Sequence, residues 1–405
     1  MKAFERLIRY AEIHTASVED LTHTPSHARQ FDLARLLEKE MKEIGLEGVF
    51  VDEHAYVYGF LPATPGMEQA PTIGFLAHLD TIPDFSGENV KPAVIENYDG
   101  GEIPLGESGR VLSPANFPHL KEVKGKTLIV TDGTTVLGAD DKAGIAEIMT
   151  AVERLQKESV PHGRIAVGFC PDEEIGHGAQ LLDLERFGAQ YAYTVDGGNL
   201  GEIEYENFNA AAATVELKGF NVHPGSAKGV MINASLVAME FNSMLPSGDT
   251  PRDTEGYEGF FHLTDLKGDV EKARLSYIIR DHDAASFEAR KNCMRHIAAL
   301  LNEKYGEGTV NLTLREQYRN MLEVIRPHFE VVEKAMAATR ALGMEPKAVP
   351  IRGGTDGARL SFRGLPCPNL PTGSYGHHGP FEHAVAEEMD LCVELILKIA
   401  EEFTK

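Results

Sequence analysis

Histidines and carboxylates at the ends of apolar runs are the residues here best suited to chemistry. His78 and Asp80 close the run PTIGFLAHLD. A histidine that ligates a metal usually gives its second ring N–H to a carboxylate, and Asp80 stands two residues on, on the same side of an extended chain. A loop histidine beside a capping aspartate is the plain alternative. GADDKAG at 138–144 follows an apolar run and opens a helical pattern. Asp140 and Asp141 then sit where a helix N-terminus favours acid, and no phosphate-loop spacing is present. CPDEE at 170–174 follows the run RIAVGFC. Three adjacent acids form either a solvated turn or a cation site. In the second case one carboxylate ligates while its neighbour serves as general base. Asp196 precedes Gly197 and Gly198 after YAYTV, a common turn pair. His377 and His378 lie in a Gly-rich loop, with Glu382 four residues after His378.

Together these residues say more than each alone. His78, Asp140, Glu174, Asp196 and His378 each follow an apolar run. In an open α/β sheet such strand ends converge on one edge. That many N and O ligands exceed what one tetrahedral ion needs, and suit two ions sharing a carboxylate, with water between them.

The elements that must position them follow from periodicity. Residues 4–14 and 26–44 have helical spacing, and Gly45 offers a stop. Residues 71–79, 127–131, 164–170 and 191–195 read as buried strands, and 142–155 as an amphipathic helix. Strands alternating with helices imply an α/β layer whose sheet is mostly parallel, with helices on both faces. From residue 209 the order becomes β-α-β-β-α-β, the ferredoxin-like arrangement. Its strands read as 211–217, 258–266, 272–280 and 310–317, and its helices as 229–244 and 284–301. A helix over 323–342, a strand over 365–371 and a final helix over 385–403 follow. The expected organisation is a catalytic α/β domain of 1–208 plus 321–405, interrupted by an α+β domain of 209–320 that acts as lid or dimerisation element.

Charge and composition narrow the function classes. Thirty-nine Lys and Arg stand against 62 Asp and Glu, a formal net charge of −23. That balance does not seek nucleic acid or anionic membrane by bulk electrostatics. The apolar fraction is 42% and no segment is long enough to span a bilayer. Cys170, Cys293, Cys367 and Cys392 are far apart and read as reduced thiols of a cytoplasmic protein. No leader-like apolar segment is seen near the N-terminus.

The motifs HLD (78–80), GADDKAG (138–144), PDEEIG (171–176), VDGG (195–198) and HPGSAKG (223–229) resemble those of the M20 metallopeptidase family. RGGTDGARLSF (352–362), TGSYGHHG (372–379), IIRD (278–281) and NFNAA (207–211) agree, and they favour its tripeptide-aminopeptidase branch. The resemblance covers essentially the whole chain, in order. It implies a zinc-exopeptidase-like catalytic domain with two zinc ions per subunit. Asp140 would bridge them, His78 and Asp196 would complete one site, and Glu174 and His378 the other. Glu173 would be the general base and Asp80 would orient His78, with the Asp140–Asp141 peptide cis. His223 would help hold the tetrahedral oxyanion, from its own chain or from a dimer partner. Arg280 and Arg352 would hold the substrate carboxylate, and Asn233 is a further substrate-contact candidate. The chain departs from the branch at the adjacent histidines. Spacing from Thr372 and to Glu382 selects His378, and His377 stays open.

The expected partners are short peptides, chiefly tripeptides, with no nucleic acid or membrane, and a second copy pairing through the inserted domain. Two other readings remain at this point. One is an M20-type amidohydrolase of N-acyl amino acids with the same metals and base. The other is a non-catalytic metal- or peptide-binding protein on the same scaffold.

Overall fold

The computed structural model of the chain describes residues 1–19, 23–158 and 160–405. The chain folds as two compact units. One is Met1–Tyr205 with Met321–Val349 and Thr355–Lys405; the other is Glu206–Asn320 with Pro350–Gly354.

The first unit is built on a mixed eight-stranded sheet. At its centre the strand Ile73–His78 runs parallel to both Ile165–Cys170 and Tyr191–Gly197, and Asn369–Pro371 continues the parallel set. Ile73–His78 and Ile165–Cys170 are buried along their whole length, as the continuous apolar runs require of strands covered on both faces. Alternate residues serve the two faces. Leu76 joins a cluster with Phe187 and Leu360, whereas Phe75 stacks on Tyr193 at 5.8 Å. Antiparallel strands flank this centre: Val57–Leu61 pairs with Ile165–Cys170, Glu47–Val51 with Val57–Leu61, and Glu202–Asn207 with Asn369–Pro371. The sheet is thus parallel only in its core.

The helix Ala139–Lys157 lies against the central strands and packs on Ala3–Ala11 and Ala386–Glu402. Ile145, Ile148, Met149 and Val152 are fully buried. Gly144 makes the close approach possible: a Cβ there would stand 1.9 Å from the Val195 carbonyl oxygen. Gly144→Ala is therefore expected to destabilise the fold by about 1–3 kcal/mol, the range for overpacking a tight site. Equilibrium denaturation checks this; unchanged stability would contradict the packing. The helix expected over 323–342 is broken into Leu322–Ile325, a 3-10 turn at Arg326–His328 and Glu330–Ala341. Pro327 lacks the N–H that an unbroken helix needs.

A smaller sheet in the same unit places Ser374–Tyr375, His383–Val385, Leu128–Val130 and Ala93–Ile95 side by side. Tyr98, Leu105, Leu112, Leu120 and Val123 fill the core beneath it.

The second unit is the β-α-β-β-α-β arrangement, with the four strands Asn209–Lys218, Phe260–Gly268, Lys272–Asp281 and Val310–Tyr318 all antiparallel. Its strands alternate: Ala211, Ala213, Val215 and Leu217 point inward with Leu275, Tyr277 and Ile279. They meet Val237 and Phe241 of the helix Ala234–Ser243 and Phe287, Met294 and Leu301 of Ala284–Tyr305. One helix-covered face suffices for an antiparallel sheet. All four cysteines are free thiols. Among the described residues no helix is long and apolar enough to cross a membrane.

Candidate metal centre

Three of the expected ligands come from the central parallel strands. His78 ends Ile73–His78, Asp196 lies in Tyr191–Gly197, and Glu174 follows Ile165–Cys170. His78 is in register with Cys170, so the ends of these two strands are level. Asp140 and His378 arrive differently. Asp140 follows the small-sheet strand Leu128–Val130, and His378 lies on the loop between Ser374–Tyr375 and His383–Val385. The expectation of convergence on one sheet edge therefore needs correcting. The large sheet supplies one side of the centre and the small sheet the other.

Asp140 stands in the middle. Its Oδ1 is 2.9 Å from His78 Nε2 and its Oδ2 is 3.0 Å from His378 Nε2. His378 Nε2 is 3.2 Å from Glu174 Oε2, and His78 Nε2 is 3.7 Å from Asp196 Oδ1. The donors thus fall on two sides of one carboxylate. The ligand atoms of His78, Asp140 and Glu174 lie within 4.8 Å of one another, as do those of His78, Asp141 and Asp196. Glu174 Oε1 is buried with no hydrogen-bond partner among the described residues. Such an atom is costly unless a cation or donor meets it. Imidazole and carboxylate donors, with an orphaned buried oxygen, fit divalent metal ions.

Asp140 and Asp141 are joined by a cis peptide, as the family resemblance implied. The two carboxylates have different occupations. Asp141 accepts the backbone N–H of His78 at 3.1 Å and of Gly144 at 3.2 Å. It fastens the helix start to the strand end, which leaves Asp140 to face the histidines. Of the histidine pair, His378 faces Asp140 and Glu174, whereas His377 bonds Ser374 Oγ at 2.9 Å and keeps its Nδ1 3.9 Å from Asp140. His378 adopts a φ of 64°, a left-handed conformation unusual for a residue with a Cβ.

Asp80 is fully buried. Its two oxygens accept the backbone N–H groups of Glu173 at 2.9 Å and Glu174 at 3.2 Å. His78 Nδ1 bonds the backbone carbonyl of Asp80 at 3.0 Å, with the Asp80 carboxylate at 3.4 Å. This one residue therefore contacts the His78 ring and holds the Glu173–Glu174 turn. Asp172 anchors the same turn from the other side, accepting from Ser26 N at 2.6 Å and Gln30 Nε2 at 2.7 Å.

Burial and neighbouring charges together set the proton affinities. Burial, then Asp356 and Glu174, hold the Glu173 carboxyl well above the usual range. Burial and Asp141 do the same to Asp196. His378 is pushed up to about 10 by its bonds to Asp140 and Glu174. Burial works against a charged His78, but Asp196, Asp140 and Asp80 outweigh it and raise its proton affinity. Bound cations would act in the opposite direction on all of these groups. No hydrogen bond to the Glu173 carboxylate is seen among the described residues, and the residue is half-buried.

Residue reading named Asp172 only as one of three adjacent acids and Glu382 only for its spacing from His378, and it gave Asp356 no role. Asp356 is buried, pushed up to about 6 by burial, and accepts Ala179 N at 2.7 Å. All three lie within motifs or spacings noted in the sequence. Their depth of burial, however, is not a local property and left no periodic signal.

The remaining candidates belong to the second unit. His223 is exposed and its Nδ1 accepts from Gly225 N at 3.1 Å. Asn233 caps the helix Ala234–Ser243 through Oδ1, which accepts Leu236 N at 3.3 Å. Arg280 donates from Nη1 to Ile279 O at 3.0 Å and lies over the Tyr318 ring at 5.3 Å. Arg352 groups with this unit. Its Nη1 donates to Gly256 O at 2.8 Å and Glu258 O at 3.0 Å, and its Nη2 to Thr254 Oγ1 at 3.0 Å.

Comparisons with known proteins agree with this picture. Residues 205–309 match the family model of the M20-type peptidase dimerisation domain. Peptidase T of Clostridium perfringens is 55% identical over 399 residues, covering 98% of each chain. Peptidase T of Alkaliphilus oremlandii is 52% identical over 404 residues, covering 99% of each. The crystal structure of aminopeptidase PepT from Bacillus cereus shares the fold, with a TM-score of 0.78 at 24% identity over 100% of this chain and 98% of that one. With relatives this similar along its full length, the chain belongs to the peptidase T family of M20 metallopeptidases.

Proposed function

We propose that this protein is a di-zinc aminopeptidase that releases the N-terminal residue of short peptides, chiefly tripeptides, with Glu173 as the general base. The observation that carries this reading is the shared carboxylate: Asp140 reaches His78 through one oxygen and His378 through the other. Asp196 and Glu174 stand beside those two histidines. His78 and Asp196 would hold one ion, His378 and Glu174 the other, and Asp140 both. A set of imidazole and carboxylate ligands favours zinc among the ions it could take. The chemistry supplied by two bound ions is Lewis acidity, which acidifies a water and polarises a carbonyl.

The chain's own groups do the rest. Glu173 accepts the proton of the attacking water at its carboxylate and returns it to the leaving amine. Its backbone is held by Asp80, so the carboxylate is presented in one place. His223 is assigned to the oxyanion that develops as water adds, where a donor is worth most. Arg280 is assigned to the substrate carboxylate, which a guanidinium meets in a planar fork. Arg352 is a second candidate, with a smaller expected effect because carbonyls already occupy two of its nitrogens. The Asn233 amide is a third, its oxygen being used in capping. Two copies are proposed to pair through the second unit. The location proposed is the cytoplasm, in keeping with free thiols.

The test is a tripeptide compared with its N-acetylated form. The free peptide should turn over at least about 100-fold faster, since a site that pairs with a charged amine strongly rejects its absence. Equal rates would favour the amidohydrolase reading instead.

A further inference from the structure

Among the described residues Glu382 makes no hydrogen bond to the expected ligands' side chains, yet it is 2% exposed and bonded to the backbone of one of them. Its Oε2 accepts the backbone N–H of Gly138 at 2.8 Å and its Oε1 that of Asp140 at 2.9 Å. The two N–H groups bracket Ala139, so a single carboxylate spans the peptide segment that delivers Asp140. Gly138 turns the chain into this position with a φ of 73°. The Asp140 side chain takes no backbone N–H among the described residues and is left wholly to His78 and His378. Glu382 also follows His378 by four residues in the same loop. One loop of the small sheet therefore supplies a ligand and grips the backbone of another.

We infer that Glu382 is a positioning residue that fixes the bridging carboxylate Asp140 between the two metal sites, coupling the His378 loop to the start of the helix Ala139–Lys157. The inference rests on the bridging role proposed for Asp140. Only a carboxylate of this length fits the task. Glutamine would turn an NH2 group toward one of the two N–H donors, losing a bond and setting donor against donor. Aspartate keeps both acceptors but is a methylene short. Burial lowers Lys142 to about 7 and the Glu382 charge opposes that shift, while Lys142 Nζ donates to Ile13 O at 2.7 Å. A purely structural role is thus the competing explanation, and the experiment must separate the two.

The experiment measures zinc dissociation constants by competition with a chromophoric chelator, for the wild type, Glu382→Gln, Glu382→Asp and Asp140→Ala. The melting temperature of each metal-stripped protein is recorded alongside. In Glu382→Gln both sites should weaken by roughly 10–100-fold, the usual cost of losing a group that orients a ligand. Glu382→Asp, which keeps the charge on Lys142, should fall between, and serves if the glutamine variant does not fold. At saturating zinc, kcat should recover toward the wild type with KM unchanged. Wild-type zinc affinity in Glu382→Gln, with only a lowered melting temperature, would overturn the inference and leave a structural role. Asp140→Ala separates the two levels: if it keeps both ions at wild-type affinity, the bridging assignment fails first.

Discussion

Glu173→Gln is expected to keep its metal content and lose about 10³–10⁴-fold in kcat on a tripeptide, the upper range for a positioned general base. Glutamine preserves the size and polarity of the side chain. It leaves the backbone bond from Glu173 N to Asp80 untouched. What it would remove is the proposed ability to take a proton from water and hand it to the leaving amine. Glu173 is also the acid next to Glu174 that is not assigned to a metal, so its loss should not empty either site. Steady-state kinetics and metal analysis on the same preparation check both halves. Near-normal kcat would sink the assignment. A parallel loss of metal would move Glu173 from base to ligand.

The second large effect is expected at Asp140. Removing its carboxylate in Asp140→Ala takes an oxygen from each side of the centre, leaving His78 with Asp196 and His378 with Glu174. Each pair alone offers fewer donors than a stable tetrahedral site needs. Both ions should therefore be lost on dialysis, and turnover should fall to background. Asp196→Ala should act differently, weakening one site directly and leaving the other its full set. Asp141→Ala should instead show itself mainly as lost stability, because its oxygens hold the backbone of His78 and Gly144. A result in which Asp141→Ala abolished binding and Asp140→Ala did not would reverse the roles of the adjacent acids.

Much of this centre could be read from residue patterns because the patterns were local. A buried strand that ends in a histidine, as at His78, or in acids, as after Cys170, is an uninterrupted apolar run followed by polar residues. The fold obeys it. The repeated alternation of Ala211, Ala213, Val215 and Leu217 likewise marks a sheet with one face covered. What could not be read was non-local. Glu47–Val51 is largely half-exposed and carries no clear period, so the antiparallel flank of the large sheet left little trace. The small sheet is assembled from strands of two or three residues drawn from positions near 94, 129, 375 and 384. Nothing local says that these would meet, yet they bring Asp140 and His378 to the centre. Asp80, Asp172, Asp356 and Glu382 act mainly by accepting backbone N–H groups. A carboxylate used in that way looks, in sequence, like any other acid.

The most direct test is anomalous diffraction at the zinc edge from crystals of the zinc-loaded protein. Two peaks are expected per chain, each about 2.0–2.2 Å from a different oxygen of Asp140, with His78 and Asp196 around one and His378 and Glu174 around the other. A single peak, or a pair bridged by Asp141, would contradict the centre described.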